Sequence, residues 1–173
     1  MKKLFALSAL AAFFFGTVQA QTPEAKPKPS PAAKVSETLP NGTVITIDYS
    51  QPALKGRVMG KDVEPMDGKV WRAGANDATV FEVSKDVKIN GQTLPAGKYG
   101  FFTLVQNGQW TFIFNKVAKQ WGAFSYAQDQ DALRVPAKAG KTAAPVERLT
   151  YTISKAGEVA LSWGDVKVWV TVQ

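Results

Sequence analysis

The chain contains neither cysteine nor histidine in its 173 residues. Ser-His-Asp and Cys-His nucleophile systems therefore have no base, and zinc, copper, haem and iron–sulfur centres have no ordinary ligands. Calcium would need an oxygen-rich loop, and Asp129 and Asp131 alone are too few. No metal and no other cofactor is expected. Disulfides are excluded too, so stability has to come from packing and hydrogen bonds. The one glycine-rich stretch, residues 91–100, falls in a hairpin pattern rather than between a strand and a helix, which excludes a phosphate-cradling loop. Charge is also sparse. The formal +7 shrinks once the N-terminal segment is set aside, because five of the 21 basic residues and one of the 14 acidic ones precede Val35. The remaining +3, with its lysines scattered, gives no electrostatic footprint for nucleic acid.

Long apolar runs are equally scarce. The single example, residues 4–15, is shorter than the roughly 20 residues that span a bilayer. It follows Lys2 and Lys3 and precedes Gly16 and the small-residue motif Val18-Gln19-Ala20, the pattern of a secretory signal cleaved after Ala20. With no cysteine after the run, lipid attachment is chemically excluded. A periplasmic or secreted protein with no stable membrane insertion after cleavage is expected. Residues 21–34 are mostly Pro, Lys and Ala, with Gln21, Thr22, Glu24 and Ser30 and no branched apolar or aromatic side chain, a composition that reads as a disordered tether. Residues 35–173 then form a single domain large enough for one core, to which five tryptophans contribute.

Alternation dominates that domain, and turn residues punctuate it at short intervals. Asn41-Gly42 separates residues 35–39 from 43–50, where Ile45, Ile47 and Tyr49 share a face. Asn90-Gly91 closes a short hairpin, and Asn107-Gly108 joins residues 98–105 to 109–115 with Trp110, Phe112 and Phe114 on one face. Residues 158–163 and 166–172 flank Gly164-Asp165 and read as another hairpin, while residues 137–145 read as a loop and residues 128–133 as one helical turn. The fold class expected is all-β, an antiparallel β-sandwich or jelly-roll-like domain with at most one short helical turn.

Several blocks depart from this generic pattern: Tyr49-Ser50-Gln51-Pro52 with Lys55-Gly56-Arg57, the run Val70-Trp71-Arg72-Ala73-Gly74-Ala75-Asn76-Asp77-Ala78-Thr79, Gln120-Trp121-Gly122-Ala123, and residues 131–135. With Leu94-Pro95-Ala96-Gly97-Lys98-Tyr99 and Asn115-Lys116, they resemble the bacterial family called "domain of unknown function 2911" over nearly the whole domain. The resemblance implies an exported or envelope-associated, β-rich domain with no assigned activity, substrate or catalytic residue. One departure is Gln51, which stands where the family's block reads Tyr-Ser-Arg-Pro; an anion bound by that arginine in relatives would be bound differently here.

Physically, Trp71, Arg72, Asn76 and Asp77 combine a ring face, a guanidinium fork and directed hydrogen-bonding groups, a mixture suited to a sugar. Their structural use is equally definite: Trp71 buried, Arg72 paired with Asp77 or Asp131, Gly74 in a tight turn, Asn76 capping loop backbone. Arginine is used sparingly, and Arg57, Arg72 and Arg134 all fall in the distinctive blocks, where its fork would hold a carboxylate inside the protein or on a ligand. Tyr49 reads as core with a tethered hydroxyl, and Trp121 as the ring most exposed at a cleft. The candidate ligand-binding set is therefore Tyr49, Arg57, Trp71, Arg72, Asn76, Asp77, Trp121, Asp131 and Arg134, and if they form one site they converge although 85 residues separate Tyr49 from Arg134. Three functions remain open: a binding or structural envelope module for a glycan or peptide, a histidine-free enzyme using two carboxylates drawn from Asp48, Asp77, Glu82 and Asp131 on a glycan, and a scaffold that docks an envelope protein partner.

Overall fold

The computed structural model describes residues 29–173, so the signal segment and most of the predicted tether lie outside the described residues. The strands are β1 (Ala32–Thr38), β2 (Val44–Ser50), β3 (Val70–Trp71), β4 (Thr79–Val83), β5 (Val87–Ile89), β6 (Gln92–Leu94), β7 (Gly97–Gln106), β8 (Gln109–Asn115), β9 (Asp131–Ile153) and β10 (Glu158–Thr171). One 3-10 turn, Gln128–Gln130, precedes β9. The fold is all-β and sandwich-like. The main sheet is antiparallel in the order β1-β2-β4-β7-β8-β9-β10, with β3 also pairing with β7, and β5–β6 forms a separate hairpin.

Period-two alternation sets the inner face. Ile45 and Ile47 of β2 lie opposite Val83 and Phe81 of β4, and Phe81 meets Phe114 edge-on at 5.0 Å while Phe101 meets Phe112 at 4.9 Å. The sheet curls until the chain after β2 reaches β9: the Leu54 amide donates to Glu147 O and the Leu149 amide to Pro52 O, each at 3.0 Å. Tyr49 helps to close this seam, its hydroxyl accepting from the Tyr151 amide at 3.3 Å and its ring standing edge-on to Tyr151 at 4.7 Å. Strand β7 is buried on both faces, since Phe102 packs outward with Ile113 and Ala78 beneath Ala123 and Tyr126.

Three local expectations are corrected. Residues 137–145 are not a loop but the middle of β9, and Gly164-Asp165 is not a hairpin turn, because both flanking segments pair with β9, from Val159↔Ile153 to Trp169↔Lys138. Gly164, at φ +60, lies at register shifts that make a bulge within β10. Strand β1 also starts at Ala32, inside the segment whose composition reads as a tether. Pairing with β2 (Ala32↔Ser50) and the 3.1 Å Lys34–Asp48 ion pair accompany that extension.

Candidate functional site

The blocks at residues 49–57, 70–79 and 120–123 meet in space. Residues 70–79 form a knot of backbone held from within. The Trp71 indole N–H donates to Gly74 O at 3.1 Å, and Thr79 Oγ1 and the Tyr151 hydroxyl both donate to Ala73 O. Gly74 is required by proximity: a Cβ there would lie 2.8 Å from Thr79 Oγ1 and 3.2 Å from Ser50 O. Asn76, in the left-handed region at φ 59, donates from Nδ2 to Ser50 Oγ and to Ser30 O, each at 3.1 Å, and so ties the knot to β2 and to the chain entering β1. Asp77 forms a backbone bridge with Trp121, and the Ala78 amide donates to Gln120 O at 3.0 Å.

Two clefts open around this knot. The first, about 370 Å³, is bordered by Arg57, Asp62, Glu64, Trp71, Arg72 and Trp163. The second, about 250 Å³, shares Glu64, Trp71 and Arg72 with it and extends to Lys69, Ala123 and Phe124. Arg72 thus belongs to both. Its side chain is half-buried, Nε is shielded from solvent without a hydrogen-bond acceptor, and no ion pair reaches it among the described residues. Burial pulls its guanidinium below its ordinary value, and the Glu64 carboxylate pulls it back up. The expected pairing of Arg72 with Asp77 or Asp131 is therefore not what the structure shows.

Other candidates are placed differently. Trp71 is 2% exposed and stacks on Trp163 with centroids 5.7 Å apart, so its ring serves as the cleft floor and has no free face for a sugar. Arg57 is exposed and donates from Nε to Leu54 O and from Nη2 to Ala53 O, which fixes its own loop at the cleft rim. Asp131 and Arg134 are occupied with each other: Asp131 Oδ2 accepts from Arg134 Nη1 at 3.0 Å and from the Tyr126 hydroxyl at 2.6 Å, while Oδ1 accepts from Asn115 Nδ2. Desolvation, then the Asp131 hydrogen bond, push the Tyr126 hydroxyl well above its ordinary value. Neither Asp131 nor Arg134 borders the two clefts. Tyr49 and Asp77 border a separate pocket of about 260 Å³ with Asp48 and Gln120. Trp121 is 62% exposed on the neighbouring loop.

Asp62, Glu64, Trp163 and Phe124 border the clefts without having stood out in the sequence. Asp62 and Glu64 sit in an irregular loop whose return to Arg72 leaves no local pattern. Phe124 carried the same signal as Trp121, an aromatic residue outside any strand alternation, and is 86% exposed.

Fold and clefts together define an all-β domain with two clefts that share Arg72. The chain belongs to the family described as "Protein of unknown function (DUF2911)", whose model matches residues 30–172. That match starts two residues before β1. No curated protein and no solved structure matches the chain.

Proposed function

We propose that the protein is an exported binding module of the cell envelope, which holds the anionic group of a glycan or peptide on Arg72. One observation carries this reading: a half-buried guanidinium with no hydrogen-bond acceptor at Nε and no ion pair among the described residues stands where two clefts meet. A planar fork partly withdrawn from water gains most from a ligand that brings a carboxylate to it, and the volume of the first cleft is in the range of small-ligand sites. Export is supported by the signal pattern that ends at Ala20. The carboxylate-enzyme reading loses ground, because Asp48, Glu82 and Asp131 are each ion-paired, with Lys34, Lys98 and Arg134.

A thermal-shift screen of the protein against envelope glycans, peptidoglycan fragments, acidic peptides and small acids tests the proposal. The expected result is a saturable rise with carboxylate-bearing compounds that disappears in a folded Arg72→Lys variant. A rise of equal size in that variant would refute the assignment to Arg72.

A further inference from the structure

Phe124 places 86% of its surface in water, and Trp121, three residues earlier, 62%. The loop that carries them is not loose. The Ala78 amide holds Gln120 O, and the Tyr126 ring packs on Phe102 at 5.2 Å. Gly122 adopts φ +63, and a Cβ on it would come within 3.0 Å of Phe124 Cδ2 and Cε2, so the phenyl ring rests on bare backbone at this turn. Phe124 also borders the second cleft, which runs directly into Arg72.

Resting on the reading above, we infer that the ligand is an acidic oligosaccharide whose carboxylate lies on Arg72 and whose neighbouring pyranose ring lies on Phe124. A backed, exposed ring offers a pyranose a flat apolar face, and Arg72 fixes the charged end. The acids beside Arg72 decide against a polyanion. Asp62 Oδ2 accepts the Val58 amide at 2.9 Å and Glu64 Oε2 the Met66 amide at 2.7 Å, and neither carboxylate is in an ion pair among the described residues. Their remaining oxygens can accept hydrogen bonds from sugar hydroxyls but repel a second anionic group, which disfavours an acidic peptide or a doubly charged phosphate. A single carboxylate among many hydroxyls satisfies the whole set.

The test is binding to an array of uronate-, sialate- and muramate-containing oligosaccharides, their carboxyl-reduced counterparts, and tri-glutamate peptides. Acidic oligosaccharides should bind, and carboxyl reduction or Arg72→Lys should each weaken binding by roughly tenfold or more. Phe124→Ala, a substitution at a solvent-exposed ring, should keep the wild-type melting temperature and weaken binding by about three- to tenfold. Binding of the peptides with no binding of the acidic sugars would overturn this inference and leave the proposed function standing. Unchanged sugar affinity in Phe124→Ala would overturn the role of the ring. Failure of both carboxylate classes would overturn the proposed function as well.

Discussion

Arg72 sits where the protein offers it little. Its Nε is buried without an acceptor among the described residues, and the Glu64 carboxylate reaches it only through space. A charge partly desolvated and unpaired is a cost to the folded state, so removing it should not destabilise the domain. Arg72→Met is expected to unfold in urea within about 1 kcal/mol of the wild type, whereas a loss of several kcal/mol would place Arg72 in a structural ion pair. Tyr151 presents the opposite case. It is fully buried and donates to Ala73 O at 2.7 Å, and burial pushes its hydroxyl well above the ordinary value of 10.0. Above pH 10 the unfolded chain gives up a proton that the folded chain keeps, so this contribution to stability is complete below pH 10 and falls as pH rises beyond it. Tyr151→Phe should cost about 1 kcal/mol at neutral pH, since Thr79 still donates to Ala73 O, and should lose less stability between pH 8 and pH 11 in urea titrations.

At the scale of elements, two glycines of the β9–β10 ribbon separate conformational strain from collision. Gly164→Ala at the bulge meets only Leu54 Cδ1 at 3.5 Å, so its left-handed φ of +60 alone should cost about 1 kcal/mol. Gly157→Ala, at φ +84, would drive a Cβ to 2.0 Å from Val172 O and should cost roughly 3 kcal/mol or abolish folding. Melting temperatures of the two variants check both values, and equal costs would contradict the difference in packing. The same ribbon shows where sequence reading stops. The large buried residues of β10 are odd-numbered through Trp163 (Val159, Leu161, Trp163) and even-numbered from Val168 onward, and a bulge or a hairpin turn at Gly164 produces that switch alike. Only pairing with β9 distinguishes them, and its partner segment, residues 137–145, is small and mostly exposed, with no inward apolar face to announce a strand. The hairpins built on Asn90-Gly91 and Asn107-Gly108 were legible because the turn chemistry and the alternation are both local.

For the whole molecule, the blocks at residues 49–57, 70–79 and 120–123 meet while residues 131–135 border neither cleft, and the blocks divide their work. Asn76, Gly74 and Trp71 build the knot, Asp131 and Arg134 anchor the loop through Tyr126, and Arg72 is left facing the clefts. Residue type alone pointed to this region, and of the two readings open for Trp71, a ring for a sugar or a buried ring, the structure shows the buried one, stacked on Trp163. Glu64 and Asp62 stayed hidden because their approach to Arg72 depends on a long loop folding back. The decisive measurement is a nitrogen–proton correlation spectrum of the arginine side chains during titration with an otherwise neutral oligosaccharide that carries a single uronic acid residue. The Arg72 Nε–H signal should shift progressively and saturate, while that of Arg57, whose Nε already donates to Leu54 O, should move little. Binding that leaves the Arg72 signal in place, or no binding at saturating concentrations, would contradict an arginine-centred ligand site.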